Sequence, residues 1–379
     1  PSDRLGRKRT LFWVAVLYLV SALGSAFSTD WYLFMAFRFI GGLGVGASSV
    51  TAPLYISEIS PANTRGRLVA MFQFNVVFGI VIAYLSNYLI AGTGGPNSWR
   101  LMLGIEAVPA ILFLVLVLRI PRSPRWLILK RNLVEEARAV LELINPANVD
   151  ETLKNIQESK HEANSDQRLF RSKIYRLPIL LAFLIAFFNQ VSGINAIIYY
   201  APRIFEMTGL GESSALLSTA GIGIVNFIFT LLSMRFIDIV GRRTLMLIGS
   251  IGLIITLGLV SRAFYTESFG GMAVPVFLFV YIAFFAFSQG AVIWVFISEV
   301  FPNEVRAGGQ SLGSFTHWFM AALIAFSFPA IAEKLGGGTT FLIFAIMMVF
   351  QLLFVLRLMP ETKGKSLEKI QSEISNGKA

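Results

Sequence analysis

Polar amide side chains interrupt one of the most apolar stretches of the sequence. The stretch contains Asn189, Gln190, Ser192 and Asn195, and Tyr199 follows one helical turn after Asn195. An amide donates and accepts hydrogen bonds in fixed directions, which suits a neutral ligand that carries several hydroxyl groups. Amides in an apolar environment are costly unless they find partners or face water. The stretch therefore predicts the wall of a polar cavity.

The elements that must position these amides are membrane-spanning helices. Hydrophobic residues make up 55% of the 379-residue chain and charged residues 14%, a balance typical of polytopic helical membrane proteins. Runs of about 17 apolar residues can cross a bilayer. The sequence has ten such runs, which are Leu11–Phe27, Trp31–Tyr55, Leu68–Ala91, Leu101–Leu118, Ile179–Tyr200, Ala215–Ile237, Thr244–Val260, Ala273–Val300, Ser311–Ala332 and Thr339–Leu358. Gly193 and Pro202, within or just after the fifth run, predict a local weakening of its helix.

Lysine and arginine are distributed unequally among the loops. Most of the 32 basic residues fall on one side of the predicted spans. Arg100, Arg203, Arg262 and Lys334 fall on the other side, and Arg38, Arg235 and Arg357 lie within predicted runs. Because basic loops stay in the cytoplasm, we predict a protein of the cell membrane, inner or plasma, with its long polar segment and C-terminal tail in the cytoplasm. The same asymmetry accounts for the net charge of +10 without a nucleic-acid partner.

Two charged motifs occur twice at nearly the same offset. Asp3–Leu11 is repeated 235 residues later as Asp238–Leu245, and Ser57–Pro61 is repeated 241 residues later as Ser298–Pro302. In both copies of the second motif a glutamate precedes an arginine by seven residues. This duplication predicts two homologous halves, an arrangement in which transporters bind substrate between the repeats.

The repeated charges can pair between the halves at the cytoplasmic ends of the spans and hold the inner mouth of a cavity shut until they separate. The side chains predicted for this gate are Asp3, Arg7, Glu58, Arg65, Arg125, Asp238, Arg242, Glu299 and Arg306. The alternative is that these charges only anchor the spans at the membrane surface.

The long polar segment divides the spans into a set of four and a set of six. We predict an N-terminal bundle, a cytoplasmic linker, a C-terminal six-helix bundle and a cytoplasmic tail at residues 1–120, 121–175, 176–360 and 361–379. Within the linker, Leu133–Ile144 and Glu151–Asn164 have the spacing of amphipathic surface helices, more weakly in the second. Equal halves require two more spans before residue 1, so we expect twelve in the intact protein, of which ten are present.

Seven stretches together resemble one family. They are Asp3–Arg9, Arg38 with Gly41–Gly46, Ser57–Arg67, Pro121–Leu127, Asn189–Pro202, Asp238–Thr244 and Pro360–Gly364. Because these stretches occur in the same order as in that family, the chain resembles sugar porters of the major facilitator superfamily. It is similar to bacterial xylose–proton symporters and animal facilitative glucose transporters. The resemblance implies an all-α membrane protein of two pseudo-symmetric helical bundles that transports a monosaccharide, a hexose or a pentose, by alternating access.

The resemblance also implies a sugar site built from both halves. Gln73 matches the first-half glutamine of the family, and Gln190 and Asn195 match its second-half motif. The whole implied set is Gln73, Asn189, Gln190, Asn195, Tyr199, Asn226, Trp294, His317 and Trp318. Indoles cover the apolar face of a sugar ring and donate one hydrogen bond. The alternative for Gln73, Asn226 and the tryptophans is that they join helices or lie at the membrane interface.

Three residues depart from the family pattern. Asn189 replaces the first glutamine of a Gln-Gln pair with a shorter amide, and Arg122 replaces the glutamate of a Pro-Glu-Ser-Pro-Arg motif. His317 stands where relatives have Gln or Asn, and it brings an imidazole, which titrates near neutral pH, into the expected pocket. These departures leave the identity of the sugar open.

Arg38 lies well inside an apolar span, where an arginine is costly and usually functional. In proton-coupled relatives an arginine at this position pairs with an acid on the first span, and Glu106 matches a family acid that could be an alternative partner. The resemblance therefore implies proton symport through Arg38 and Glu106. Facilitated diffusion stays open, as does a role for Arg38 in tying helices together.

Other classes of protein have less support. The sequence has no Gly-Lys-Ser/Thr phosphate-binding loop, and it has no cysteine for a thiolate metal site or a nucleophile. The implied pocket has no acid–base pair, so we expect no enzyme, no cofactor and no metal. A non-transporting sugar sensor is an alternative that the short tail disfavours. We expect a monomer in the lipid bilayer whose partners are a monosaccharide and protons.

Overall fold

A computed structural model describes residues 2–60, 65–91, 93, 95–144, 146–162, 169–170, 173–269, 272–301 and 305–363. Within these ranges every regular element is helical and no β-strand is present. The helices that precede the linker are α1 (Arg7–Phe27), α2 (Trp31–Ile59), α3 (Arg65–Ile90), α4 (Ser98–Gly104) and α5 (Ala107–Arg119). The linker contains α6 (Val134–Ile144) and α7 (Val149–Glu162).

The helices that follow the linker are α8 (Arg176–Val191), α9 (Ile194–Met207), α10 (Glu212–Val240), α11 (Arg242–Tyr265), α12 (Ala273–Phe287), α13 (Gln289–Val300) and α14 (Arg306–Arg357). Short helical turns lie at Ser2–Leu5, Gly95–Asn97, Pro124–Trp126, Leu127–Arg131, Pro146–Asn148 and Lys173–Tyr175.

Nine stretches of the described chain are long and apolar enough to cross a membrane. The last of them coincides with most of α14, which has 52 residues and would measure about 78 Å at 1.5 Å per residue. That is more than twice the ~30 Å hydrocarbon core of a bilayer. Gly336, at φ 79° and ψ 159°, breaks α14 into two spans. All ten predicted apolar runs are therefore helical.

Three other spans are interrupted, and local chemistry accounts for two of the breaks. Between α8 and α9, Gly193 has a φ of 85°, a conformation that favours glycine. Between α4 and α5 the helix is interrupted at Ile105–Glu106, just before Pro109, whose ring disrupts the preceding helical turn. Ser288 separates α12 from α13 at φ −114° and ψ −87°. The Gly193 break was predicted from the sequence, whereas α9 continues through Pro202 without interruption.

The chain forms two compact units. The first contains residues 1–73 and 89–166, and the second contains residues 74–88 and 167–379. Residues 74–88 of α3 thus belong to the second unit, together with all helices from α8 onward. Most of the predicted linker belongs to the first unit.

Each unit has its own core. In the second unit, Leu181, Ile197, Leu253 and other side chains of one large apolar cluster are fully buried. In the linker of the first unit, α6 and α7 bury apolar faces against Trp126 and its neighbours in a small separate core. The two predicted amphipathic helices are therefore present, within two residues of their expected bounds.

Candidate functional site

The amides of the polar stretch form a hydrogen-bonded chain in the second unit. Asn195 Nδ2 donates to Gln190 Oε1 at 2.8 Å, and Gln190 Nε2 donates to Asn189 Oδ1 at 2.9 Å. Gln190 Nε2 also lies 3.1 Å from His317 Nδ1. Asn189 and Gln190 are 3% and 1% exposed. The structure therefore joins four predicted site residues from three helices, α8, α9 and α14.

Gln190 contacts both nitrogens of the imidazole, with Nε2 at 3.1 Å from His317 Nδ1 and 3.4 Å from His317 Nε2. Its amide nitrogen carries two hydrogens and accepts nothing, so the nearer ring nitrogen accepts a hydrogen bond from Gln190. A doubly protonated ring would require Gln190 to turn its oxygen toward His317, which would break the bonds with Asn189 and Asn195.

Two indoles adjoin the imidazole. The ring centroids of Trp294 and His317 are 5.0 Å apart at an interplanar angle of 55°, and those of His317 and Trp318 are 5.2 Å apart at 87°. Trp294 is half-buried on α13, whereas Trp318 on α14 is exposed. The site thus combines directional amides with apolar ring faces, a combination suited to a hydroxyl-rich ring.

The break at Gly193 is held by side chains. Ser192 Oγ donates to the Asn189 carbonyl at 2.6 Å, and the Tyr281 hydroxyl donates to the Ser192 carbonyl at 2.9 Å. Carbonyls at the end of a helix lack intrahelical donors, so these bonds satisfy groups that the break leaves free. A Cβ on residue 193 would lie 2.5 Å from the Phe344 ring. The amides on either side of the break are therefore held in a fixed relation.

Three predicted site residues are not joined to this cluster. Gln73 is half-buried on α3 and belongs to the first unit. Asn226 is buried on α10, and Tyr199 is exposed on α9. Among the described residues, none of the three forms a hydrogen bond with the amide chain. Their place in the site stays a prediction.

Gln289 adjoins the site and was not predicted from the sequence. Its backbone carbonyl accepts from Asn189 Nδ2 at 3.5 Å. Its side chain is 1% exposed, with Nε2 at 3.5 Å from Met348 Sδ and with Oε1 lacking a hydrogen-bond partner within the described part of the chain. Its proximity to Asn189 depends on the packing of α8 against α13, which no local pattern of the sequence predicts.

Arg38 and Glu106 lie together in the first unit. Arg38 Nη1 is 3.3 Å from Glu106 Oε2. Glu106 occupies the break between α4 and α5, where the helical ladder is interrupted. The alternative partner suggested by the sequence is therefore the one that Arg38 has in this structure.

A first cluster of charges consists of Arg7, Glu58 and Ser123. Arg7 Nη2 and Nε donate to the two oxygens of Glu58 at 2.8 and 2.9 Å, a bidentate geometry. Ser123 Oγ donates to Glu58 Oε2 at 2.6 Å. The Arg7 and Glu58 side chains are 9% and 6% exposed.

A second cluster consists of Arg242, Glu299 and Thr362. Arg242 Nη2 and Nε donate to the two oxygens of Glu299 at 2.8 and 3.2 Å, and Thr362 Oγ1 donates to Glu299 Oε2 at 2.6 Å. Asp238 Oδ1 lies 2.8 Å from Arg242 Nη1. The carboxylate of Glu361 accepts from the first two backbone N–H groups of α11, both at 3.0 Å. The tail therefore supplies two residues to this cluster.

The other predicted gate residues are Arg125, Asp3, Arg65 and Arg306. Arg125 is exposed on the turn Pro124–Trp126. The side chains of Asp3, Arg65 and Arg306 lie outside the described residues. In each cluster the glutamate comes from one repeated motif and the arginine from the other. Glu58 pairs with Arg7 in the first unit, and Glu299 pairs with Arg242 in the second.

Comparisons with known proteins connect this geometry to a family. A family model for sugar (and other) transporters matches residues 1–374. The chain belongs to this sugar transporter family. The arabinose-proton symporter of Bacillus subtilis is 38% identical over 378 residues, which cover 98% of this chain and 81% of that protein. The D-xylose-proton symporter of Escherichia coli K12 is 34% identical over 404 residues, with coverage of 98% and 81%.

A solved structure of the same family shares the fold. The proton:xylose symporter XylE of the major facilitator superfamily, bound to 6-bromo-6-deoxy-D-glucose, superposes with a TM-score of 0.82 at 33% identity, covering 98% of this chain and 84% of that one. This member of the sugar transporter family therefore has the major facilitator fold. Its class is that of multi-pass membrane transporters and not of enzymes, as the sequence predicted.

Within this sugar transporter, three residues of the two clusters could have been found from the sequence. Pro121-Arg122-Ser123 recurs as Pro360-Glu361-Thr362 at an offset of 239 residues, between the offsets of the two motifs already noted. The hydroxyl residues Ser123 and Thr362 occupy the same place in both copies, and each donates to the glutamate of its own cluster, Glu58 or Glu299. This third repeat was the missed signal.

Proposed function

We propose that this protein carries a monosaccharide, a pentose or a hexose, across the cell membrane by alternating access. The observation that carries the proposal is the hydrogen-bonded chain of Asn195, Gln190 and His317 beside Trp294 and Trp318. Sugar hydroxyls donate and accept, so they can take over the bonds of this chain without leaving an amide unpaired. The arabinose and xylose symporters among the relatives support a sugar of this class.

Further members of the site complete the proposal. Gln73, Tyr199 and Asn226 contact the sugar at some stage of the cycle, although they are not joined to the amide chain in this structure. Asn189 holds Gln190 through its Oδ1. The shorter side chain at residue 189 therefore changes how Gln190 is presented to the sugar.

The preferred driving mode is proton symport through Arg38 and Glu106. When Glu106 takes up a proton, its carboxylate loses its charge and the ion pair with Arg38 is released. Because Glu106 lies at the break between α4 and α5, this release loosens the contact of α2 with an already interrupted helix. Both named relatives are proton symporters, and facilitated diffusion is the alternative.

The excess of lysine and arginine in the linker and the tail supports a cytoplasmic location for both, and the proposed transporter works as a monomer. In this orientation both charge clusters lie at cytoplasmic ends of spans. The two clusters then brace the inner ends of the two bundles, which rock around the sugar.

The sugar site is tested with Gln190→Ala in the purified protein. We expect at least an order-of-magnitude loss of affinity for xylose, arabinose or glucose, measured by tryptophan fluorescence, because the variant leaves buried polar partners unpaired. The matched control is Gln351→Ala, which removes a fully buried glutamine of α14 that binds Ser250. It should lower thermal stability and keep the affinity. Wild-type affinity in Gln190→Ala would refute the site.

The driving mode is tested in proteoliposomes. An inward proton gradient should drive sugar accumulation that a protonophore abolishes. Arg38→Gln should lose this accumulation and keep sugar exchange between equal pools. Downhill uptake that ignores both pH and protonophore would identify a uniporter, and saturable binding with neither uptake nor exchange would identify a sensor.

A further inference from the structure

A proline inside a spanning helix leaves one carbonyl without its normal donor. Pro202 lies within α9 and has no N–H to offer to the carbonyl of Ile198, four residues earlier. In a membrane protein such a carbonyl cannot be left to water and must find another donor. The helix nevertheless continues from Ile194 to Met207.

The missing donor is the hydroxyl of Tyr84. Tyr84 lies on α3 and donates to the Ile198 carbonyl at 2.8 Å. Its ring rests on α10, where a Cβ added to Gly223 would lie 2.8 Å from it. Tyr84, Ile198 and Gly223 all belong to the second unit. The contact is therefore part of a compact body and not an isolated surface bond.

The same arrangement occurs a second time. Pro329 lies within α14, and the carbonyl of Ala325, four residues before it, accepts from the Tyr200 hydroxyl at 3.0 Å. Tyr200 also packs on Phe328, with ring centroids 5.3 Å apart. In both places a tyrosine of a neighbouring helix supplies the hydrogen bond that a proline removed.

We propose that Tyr84 is a positioning residue of the transport cycle, which holds α9 in this conformation through the carbonyl that Pro202 frees. α9 carries Asn195 and Tyr199, so its position decides how these side chains meet the sugar. The bond joins two different helices, so it must break when α9 moves away from α3. The strength of this hydrogen bond therefore sets the balance between the conformation in which α9 contacts α3 and the one in which α9 has moved away. The hydrogen bond between Tyr84 and the Ile198 carbonyl is independent of the proposed function, whereas its effect on the transport cycle rests on the proposed sugar transport.

A reporter on α9 tests the proposal. The chain has no cysteine, so Met207→Cys places a single thiol at the last residue of α9, at a partly exposed position. The rate of maleimide labelling is measured in proteoliposomes for Tyr84→Phe, Pro202→Ala and the double variant. Tyr84→Phe alone should speed labelling about fivefold, the population shift that loss of one hydrogen bond produces.

Restoring the backbone donor should make the hydroxyl dispensable. In Pro202→Ala the N–H of residue 202 can bind the Ile198 carbonyl within the helix, so adding Tyr84→Phe should change the labelling rate less than twofold. Sugar affinity should follow the same pattern. An equal effect of Tyr84→Phe in both backgrounds, or no effect with Pro202 present, would overturn the proposal.

Tyr200→Phe is the matched control. It also speeds labelling by removing a tyrosine from a freed carbonyl, but that carbonyl belongs to Pro329, so Pro202→Ala should not suppress its effect. Suppression of both tyrosine variants would mean that Pro202→Ala rigidifies α9 in general, and the proposal would fail. The labelling assay needs no sugar. Failure of the Gln190→Ala test would therefore refute sugar binding and leave this result standing.

Discussion

The two charge clusters share one plan and are completed in different ways. In each, the first residue of a helix, an arginine, binds both oxygens of a glutamate, and a hydroxyl donates to the same glutamate at 2.6 Å. The hydroxyl comes from Ser123 in the first cluster and from Thr362 in the second. In each, the glycine before the arginine has a positive φ, 87° at Gly6 and 98° at Gly241. The duplicated sequence has therefore kept a duplicated geometry.

The difference lies in what covers the glycine. A Cβ on Gly241 would lie 2.6 Å from the Glu361 carboxylate, whereas a Cβ on Gly6 would lie 3.0 Å from the Trp126 ring. Arg122, which stands in place of the acid, instead pairs with a glutamate of α6 at 3.1 Å. The second cluster is thus completed by the tail and the first by the linker. The same arrangement of charges therefore binds two different segments of the chain, the linker in the first cluster and the tail in the second.

The largest expected effect is the loss of the glutamate at the centre of a cluster, Glu58 in the first and Glu299 in the second. Glu58→Ala should lower the free energy of unfolding by about 3–5 kcal/mol, the usual result of breaking a buried ion pair. Glu299→Ala should cost less, about 1–3 kcal/mol, because Glu299 is 21% exposed and Glu58 6%. Asp238 also remains at 2.8 Å from Arg242. Thermal unfolding in detergent measures both.

The control for these variants is Glu135→Ala, which removes an exposed acid of α6 and should change nothing measurable. Equal losses for Glu58→Ala and Glu299→Ala would show that the two clusters are equivalent despite their different burial.

A smaller effect is expected from the residues that distinguish the clusters. Glu361→Ala removes the acceptor for the first two N–H groups of α11 and should cost about 0.5–2 kcal/mol. Arg122→Ala removes an exposed pair with Glu136 that is worth at most about 1 kcal/mol. Hydrogen exchange should therefore speed up in the first turn of α11 in Glu361→Ala, and the first turn of α1 should stay unchanged in Arg122→Ala. Unchanged exchange in α11 would refute the capping role.

The sequence predicted which residues matter in the clusters better than it predicted their partners. In the sequence, Glu58 lies seven residues before Arg65, and Glu299 lies seven residues before Arg306. In the structure, each glutamate binds an arginine at the start of another helix, Arg7 for Glu58 and Arg242 for Glu299. Residues far apart in sequence meet because α1 packs on α2, which places Arg7 beside Glu58. Helix packing of this kind has no local signature, although the repeat limits the choices.

In the fold and the amide site, too, features with a local sequence signal were predicted, and features that depend on tertiary packing were not. Apolar length predicted every span, and positive φ at Gly193 agrees with the weakness expected there. The break at Ser288 was not predicted, because serine does not itself end a helix. The break at Glu106 was not predicted either, although Pro109 is a signal for it in the sequence. Likewise, the amides of α8 and α9 were evident as residue types, whereas the pairing of Gln190 with His317, 127 positions away, depends on tertiary packing.

The smallest expected effect comes from Arg122→Glu, which gives the first cluster the acid of the second. A carboxylate near the start of α1 gains about 0.3–1 kcal/mol from the helix dipole, and the loss of the exposed pair with Glu136 offsets most of this gain. The Trp126 ring also occupies the space beside Gly6 that Glu361 fills beside Gly241. We therefore expect a change of less than about 0.5 kcal/mol in unfolding free energy and no slowing of hydrogen exchange in the first turn of α1. Marked protection of that turn would mean that the new carboxylate displaces the indole, and that a single side chain decides which part of the chain completes a cluster.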